Sequence, residues 1–374
     1  MKLTVAVVGA GRQGLCAAHD FTKLTGVGRV LIVDRDAERI TLAKERLDAF
    51  ASGAEIVAIE ADASNVNDLV RALRGANAVL SSVPYQFGPN VCEAAASIGA
   101  HCADLGGNLS VSEKIHQLSK TAQQNHCIVA PDCGLMPGLG NTLAGWAISQ
   151  LEAGGGSKID VEIRCGGLPR KPKNALNYEL VFSFDGLINE YTGNSVVIRN
   201  GEITNDPTLE DITDWMHSKL GQLECATTSG GTSTAAASFL GRAKNYRYKT
   251  VRYEGHFQFF RILKNLGLFE PGARDRLRAL LEPVLYTLHP DDLVLLRVDA
   301  SSANGESVSR EYIDYRDPAT GFTAMERMTA FPAVAVLELA LEGRLAPGSI
   351  RVETDLPFDD YFSRLERRGI VARH

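Results

Sequence analysis

Lys2-Leu-Thr-Val-Ala-Val-Val-Gly-Ala-Gly-Arg-Gln-Gly14 is followed, about twenty residues on, by Val30-Leu-Ile-Val-Asp34. The first stretch is a nearly continuous apolar run that ends in three glycines spaced G-x-G-x-x-G, with a helical pattern directly after them. That placement between strand and helix makes the spacing informative. Gly9 allows a tight turn, Gly11 lets backbone approach a bulky ligand without a Cβ in the way, and Gly14 lets the helix pack close to the strand. The helix amino terminus, with Arg12 and Gln13 in its first turn, then offers unpaired N–H groups and a partial positive charge. The ligand this geometry suits is a pyrophosphate. Asp34, closing the next apolar run, stands where a carboxylate accepts hydrogen bonds from both hydroxyls of an adenine ribose and repels a 2′-phosphate. The expected cofactor is therefore NAD. Arg35 follows at once, placed either to offset a phosphate or to stack on adenine.

The alternation continues outward from this stretch. Strand-like runs fall at Leu3–Val8, Arg29–Asp34, Glu55–Glu60, Ala78–Val83, His101–Leu105 and Cys127–Pro131. Each is nearly continuous in apolar residues, as strands buried on both faces are. Helical stretches lie between them at Gly14–Leu24, Ala37–Phe50, Val66–Arg74, Asn90–Ile98 and Ser112–Asn125, the last opened by a capping-box pattern from Ser110 to Glu113. Right-handed crossovers then give a doubly wound parallel sheet, an α/β Rossmann-type domain over residues 1–135. Ligands of such sheets sit beyond the carboxyl ends of the strands. Asp62 and Ala63 are placed toward adenine, with a helix cap as the other reading of Asp62. Ser82, Val83, Pro84 and Tyr85 fall beside the middle of the dinucleotide, and Asp104, Leu105, Gly106 and Gly107 beside the nicotinamide.

After Gln150 the texture changes. Leu-Glu-Ala-Gly-Gly-Gly-Ser157 reads as a flexible connection. Alternating strands follow at Lys158–Arg164, Glu179–Phe184, Val196–Arg199, Tyr246–Tyr253, Leu293–Ala300 and Ser309–Tyr315, with helices at Gly255–Leu266, Asp275–Leu288 and Thr323–Glu342. Polar and apolar alternation suits a largely antiparallel sheet with one wet face. The expectation is a second α+β domain over 136–325 and a C-terminal helix and tail, 326–374, packing back on the first domain. Lys249 and Arg252 alternate with Thr250 and Val251 on a strand, a pattern that an ordinary solvated strand would also show.

Composition narrows the function. The chain has 374 residues, 45% hydrophobic and 22% charged, with a net charge of −6 and no basic run, so a nucleic-acid partner is not expected. No stretch has the roughly 20 apolar residues of a membrane span, and a core strand starts at residue 3, which leads to the expectation of a cytoplasmic protein without a signal peptide. Seven scattered cysteines, with no CxxC, read as reduced and mostly buried. Cys133, in Pro131-Asp-Cys-Gly134, is the nearest to a functional thiol. No metal cluster is expected.

Several motifs agree in order along the chain: GAGRQG, SVPYQF, DLGGN, PDCGLMPG, Arg164-Cys-Gly-Gly-Leu-Pro169, Asn177-Tyr-Glu-Leu-Val-Phe-Ser183 with Gly186, and Tyr248-Lys-Thr-Val-Arg-Tyr-Glu-Gly-His256. Together they resemble the saccharopine dehydrogenase family. Val197-Ile-Arg-Asn-Gly201, Thr228-Ser-Gly-Gly-Thr-Ser-Thr234 and the run to His256 are most similar to its shorter lysine 6-dehydrogenase branch. The resemblance implies NAD-dependent oxidation of the ε-amine of lysine to 2-aminoadipate 6-semialdehyde and ammonia, in a homodimer or homotetramer. Saccharopine or carboxynorspermidine chemistry, or a non-catalytic NAD-binding regulator, stand as alternatives. Hydride can leave the carbon only when the amine is neutral, so an ammonium of ordinary pKa ~10.4 must be desolvated or meet a base. His256 is the candidate base, with Tyr178 and Asp104 beside the reacting amine. For the substrate carboxylate the expected holder is the loop Thr228-Ser229-Gly230-Gly231-Thr232, whose glycines and hydroxyls can present N–H and O–H donors, with Arg252 as a charged alternative, and Gly107 and Asn177 are candidates to line the same site.

Overall fold

The computed structural model describes residues 2–50 and 53–373. Its contacts divide the chain into two compact units, 1–142 with 326–370, and 143–325 with 371–374.

The first unit is built on β1 (Leu3–Val8), β2 (Val27–Asp34), β3 (Glu55–Glu60), β4 (Ala78–Ser81), β5 (His101–Asp104) and β6 (Ile128–Ala130). They lie in the order β6-β5-β4-β1-β2-β3, with the short strand Gly348–Ser349 beyond β6, and every pairing is parallel. Strand order reverses between β1 and β4, the switch point where a crevice opens at the carboxyl ends. Register fixes those ends side by side: Val8 pairs with Val33 and Ser81, and Ser81 with Asp104. Valines, alanines and leucines of these strands are buried with helix residues such as Leu69, Val91, Ala95 and Ile115.

Side chains end the connecting helices. Asn65 caps Val66–Ala72 by accepting from the N–H groups of Asn67 and Asp68, which leaves Asp62 in the preceding turn, where it accepts from the Ser64 N–H. The capping box expected at Ser110 is not formed. Asn108 caps instead, accepting from the Val111 N–H, and the single expected helix is two, Leu109–His116 and Ser119–Gln124. The last helix of the unit, Phe358–Arg367, has no counterpart in the sequence reading, because its apolar residues are few and its face is charged. Arg368 just beyond it is tied to Asp20 at 2.7 Å and Glu338 at 2.8 Å. The apolar stretch 331–341 is buried almost throughout.

The second unit carries β7 (Ile159–Pro169), β8 (Asn194–Arg199), β9 (Glu202–Pro207), β10 (Thr213–His217), β11 (Gly221–Thr227), β12 (Ala243–Tyr253), β13 (Asp292–Ser301) and β14 (Ser307–Tyr315). The sheet runs β10-β11-β12-β7-β13-β14, with β8 on β12 and β9 on β8. Only the β7–β12 pair is parallel among the described pairings of this sheet. The fold is α/β: a Rossmann-like parallel sheet with a second, largely antiparallel one.

Residues 179–183, read as a strand, are irregular and lead into the helix Phe184–Glu190. Leu180 N–H is taken by the Leu285 carbonyl, and the Ser183 hydroxyl caps the helix through the Gly186 N–H at 3.1 Å. Those partners end any ladder before it starts. Tyr178, Phe184, Leu187 and Tyr191 instead join Phe257, Phe260 and Leu285 in one apolar cluster. No helix among the described residues is long and apolar enough to cross a membrane.

Asp292, fully buried, caps the helix Ala324–Leu341: its carboxylate accepts from the N–H groups of Ala324 (2.7 Å) and Met325 (3.0 Å). Asp292→Ala removes the carboxylate that accepts from these two N–H groups and is expected to cost about 2 kcal/mol. Urea unfolding should show the midpoint falling at unchanged slope.

Candidate functional site

In the first unit the glycine loop has distinct reasons at each glycine. Gly9 sits at φ +105°, and a Cβ there would lie 2.7 Å from the Ser82 carbonyl oxygen. A Cβ on Gly14 would come within 1.9 Å of the Gly9 carbonyl oxygen. Gly11 has ordinary extended backbone, φ −76°, and a Cβ on it would meet nothing within 4 Å. Protein packing therefore demands glycine at 9 and 14 but not at 11. The open volume above Gly11, at the amino terminus of helix Arg12–Phe21, is a cradle that suits a pyrophosphate.

Asp34 ends β2 with its carboxylate held by backbone: Oδ2 accepts from the Ala10 N–H at 2.8 Å and Oδ1 from the Asp36 N–H at 3.1 Å. Each oxygen retains a lone pair for a ribose hydroxyl. Arg12 is held away from solvent freedom by Glu326, Nε to Oε1 2.6 Å, a contact the sequence could not show across 314 residues. Gln13 is half-buried beside it, and Arg35 is exposed near Asp62, whose carboxyl is held below its usual range by hydrogen bonds from Ser64. The single O–H of Ser82 is shared between the carbonyls of Val8 (3.0 Å) and Gly9 (2.9 Å), bracing the loop. Ala63 and Val83 are half-buried, Pro84 and Tyr85 exposed at the strand ends.

Asp104 corrects an expectation. It is 2% exposed, its Oδ1 accepts from the Gly106 N–H at 2.8 Å, and a Cβ on Gly88 would lie 2.6 Å from its other oxygen. Burial pushes its carboxyl up, with Ser81 and Gly106 opposing. Its hydrogen bond holds the Gly106 end of the Leu105-Gly106-Gly107 turn, a structural engagement the sequence reading did not foresee. Gly106 and Gly107 both take positive φ, and Gly107 is exposed. Cys133 is likewise buried, its thiol directed to the Ala130 carbonyl at 3.2 Å. All seven cysteines are free and buried.

The second unit holds a buried polar cluster. Along β12, Tyr248, Thr250 and Arg252 share one face, and all three are buried. The alternative reading of a solvated strand does not hold for Arg252 or Lys249: Lys249, on the other face, is 6% exposed and paired with Asp211 at 2.8 Å. Arg252 is the most deeply buried charge of the cluster, at 2% exposure. A guanidinium has five N–H donors. Here Nε–H goes to the Tyr191 hydroxyl (3.1 Å), one Nη1–H to the Val251 carbonyl (2.9 Å) and one Nη2–H reaches Glu190 Oε2 (3.5 Å), so five less these three leaves two without an acceptor among the described residues. The Tyr178 ring lies 4.7 Å from the guanidinium carbon, a cation–π contact, and its buried hydroxyl has no partner among the described residues.

His256 is the end of a chain of hydrogen bonds. Its Nδ1 is 3.2 Å from the Leu176 carbonyl, which can only accept, so Nδ1 carries the proton and Nε2 accepts from the Tyr191 hydroxyl at 2.9 Å. The Tyr191 oxygen in turn accepts from Arg252. Burial, then the Arg252 charge, drives the imidazole pKa well down. The general-base expectation for His256 is corrected on geometry: neither ring nitrogen is free, and the ring orients Tyr191 and Arg252. Helix His256–Asn265 is positioned by Glu224, which the sequence reading missed and which accepts from the N–H groups of Gly255 (3.0 Å) and Phe257 (2.5 Å).

The Thr228–Thr232 loop lies against the same strand face. Thr228 bonds Thr250 at 2.7 Å, Thr250 bonds Tyr248 at 2.8 Å, and a Cβ on Gly231 would sit 2.4 Å from the Tyr248 ring. Ser229 donates its N–H to the Glu190 carbonyl (2.8 Å) and its hydroxyl to the Asn189 carbonyl (2.7 Å). The hydroxyls of Thr228 and Ser229 are thus engaged within the protein, and Gly230 turns the loop at φ +87°. Asn177, at φ +49°, is half-buried with its amide 3.5 Å from the Glu254 carbonyl. Among the described residues no group of three or more His, Cys, Asp or Glu is arranged to hold a metal ion.

Two family models cover most of the chain, "Saccharopine dehydrogenase NADP binding domain" over residues 5–129 and "Saccharopine dehydrogenase C-terminal domain" over 134–370. The chain belongs to the saccharopine dehydrogenase family. Among curated relatives it is 23% identical over 240 residues to "Saccharopine dehydrogenase [NADP(+), L-glutamate-forming]" of Saccharomyces cerevisiae, matching 63% of this chain and 53% of that protein. The Schizosaccharomyces pombe protein of the same name is 25% identical over 254 residues, 65% of this chain and 55% of that one. The matches thus span about half the length of those relatives. The solved apo saccharopine dehydrogenase (L-Glu forming) of S. cerevisiae superposes with a TM-score of 0.81 at 17% identity, covering 99% of both chains, which establishes the shared fold. As a family member with a Rossmann-type unit, the protein is an oxidoreductase with a pyridine nucleotide cofactor.

The neutral, fully bonded His256 gives stability a pH dependence. Below pH ~6.5 the unfolded chain protonates this histidine while the folded one refuses, so its contribution is complete above that pH and is lost as pH falls, by up to ~1.4 kcal/mol per pH unit. His256→Asn should remove that dependence. Urea unfolding at pH 7.5 and 5.5 is expected to show a loss on acidification at least ~1 kcal/mol larger in the parent than in the variant.

Proposed function

We propose that this protein is an NAD-dependent amine dehydrogenase that oxidises the ε-amine of L-lysine: lysine, NAD⁺ and water give 2-aminoadipate 6-semialdehyde, ammonium, NADH and a proton. The semialdehyde then cyclises to piperideine-6-carboxylate. The observation that carries the reading is Arg252, a buried guanidinium with two N–H groups that no described residue accepts. Two N–H groups suit one carboxylate, and carboxylates form their strongest pairs with arginine in such bidentate geometry. The other strongly buried lysine or arginine of the second unit outside the termini, Lys249, is neutralised by Asp211. Among the strongly buried cations of the described residues in this unit Arg252 alone then keeps unaccepted N–H groups, which fits an amino acid with a single carboxylate better than saccharopine, which has several.

Tyr191 and His256 fix the guanidinium, and Tyr178 covers its face. Gripping the acid end leaves the distal carbon and its nitrogen to be positioned for reaction, so remote binding energy serves the chemical step. Gly9, Gly11 and Gly14 with the amino terminus of helix Arg12–Phe21 would hold the nicotinamide dinucleotide, which would supply the hydride acceptor. Asp34 supports NAD over NADP, since its fixed carboxylate would face a 2′-phosphate with like charge. A second reading, saccharopine formation or cleavage with NADP, is favoured by the names of the two yeast relatives.

Purified protein incubated with NAD or NADP and either lysine or saccharopine distinguishes the two. Reduced nicotinamide should appear with lysine and NAD; a signal with saccharopine alone would replace the substrate reading. Asp34→Ser should move the ratio of kcat/KM for NAD over NADP toward NADP by about tenfold or more, and an unchanged ratio would remove Asp34 from cofactor choice.

A further inference from the structure

Glu190 was not singled out by the sequence, yet it is the carboxylate that stands next to Arg252. Its Oε2 is 3.5 Å from Nη2, a long contact, and Oε1 has no hydrogen bond among the described residues. The other polar members of the cluster, Tyr178, Tyr191, Tyr248, Thr250 and His256, are buried to 5% exposure or less, whereas the Glu190 side chain keeps 29%. Its backbone is immobilised: it closes the helix Phe184–Glu190, and its carbonyl accepts from the Ser229 N–H. The result is a carboxylate on a braced stretch of backbone, with a free oxygen, set beside a guanidinium with two N–H groups that no described residue accepts.

An α-amino acid carries a carboxylate and an ammonium on one carbon, a few ångströms apart. Resting on the reading of Arg252 as the carboxylate anchor, we propose that Glu190 is the acceptor for the substrate's α-ammonium, so that the Arg252–Glu190 pair selects α-amino acids over acids and amines carrying only one of these groups. The pair reads the head group and leaves the distal amine to the reaction. Glu190 is then a specificity-determining residue, distinct from whatever group takes the proton of the reacting nitrogen.

Desolvation, opposed by Arg252, pushes the Glu190 carboxyl up to about 7. The charged and titratable groups around it are Arg252 on β12, Cys165 on β7, and Tyr178, Tyr191 and Tyr248, of which only Arg252 is charged near neutrality. A ligand ammonium favours the ionised carboxylate. Head-group affinity therefore rises as pH increases through about 7, and binding below that pH releases a proton from Glu190.

The test uses ligands that cannot react. L-Norleucine has the lysine head group and no ε-amine; (S)-2-hydroxyhexanoate replaces the α-ammonium by a hydroxyl. By calorimetry with the full chain and NADH present, norleucine is expected to bind about tenfold or more tightly than the hydroxy acid, because a charged pair contributes more than a neutral hydrogen bond. In Glu190→Gln that preference should collapse toward unity, with the hydroxy acid bound as before, while Arg252→Lys weakens both. Heats of norleucine binding at pH 6 in buffers of different ionisation enthalpy should show proton release in the parent and none in Glu190→Gln. A preference retained in Glu190→Gln, or absent from the parent, overturns the proposal. Norleucine discrimination without NADH production from lysine upholds the head-group assignment and rejects the reaction assigned above.

Discussion

Burying one arginine organises the second unit. A guanidinium cannot shed its proton, so the protein must surround Arg252 with acceptors or leave a desolvated charge unpaired at heavy cost. It supplies a phenol, a carbonyl and a carboxylate, and lays a tyrosine ring across the face. Each of those groups then needs support of its own. Tyr191 needs His256, His256 needs the Leu176 carbonyl, and Glu190 needs the Thr228–Thr232 loop that bonds its backbone. The small residues follow from the same requirement, since Gly231 clears the Tyr248 ring and Gly166 clears the Val251 carbonyl. The chain of dependence runs from one charge through three segments far apart in sequence.

The first unit was legible because its signals are local. An apolar run, three glycines and an aspartate define strand, loop, helix and strand within a single short window, and the structure places Leu3–Val8 and Glu55–Glu60 at those bounds. The second unit was legible in outline only. Tyr246–Tyr253 reads as a strand by alternation, but which of its faces is wet depends on partners that alternation does not reveal. Glu179 to Phe184 shows why apolar density is ambiguous: Leu180, Phe182 and Phe184 pack in an aromatic cluster rather than against ladder neighbours. Reading that stretch as a strand also hid Glu190, because its significance depends on its place at the end of a helix. His256 was visible as a residue type, and its two engaged nitrogens were not.

Family membership and local geometry bear on different parts of the protein. The family supplies the reaction class and the nucleotide, both attached to a fold that many chains share. In the reading proposed above the substrate is selected by Arg252 and Glu190, and likeness of fold at 17% identity does not transfer such side chains.

The three glycines of the loop answer to different masters. Substitution at Gly9 or Gly14 collides with the protein's own backbone, so folding alone polices those positions. Gly11 has ordinary dihedrals and empty space where a side chain would go. A methyl group there would leave the fold indifferent and would be felt only by a ligand lying against the loop. Position 11 is thus where nucleotide binding can be separated from folding, and a descendant that gave up its cofactor while keeping its shape would be free to change there first.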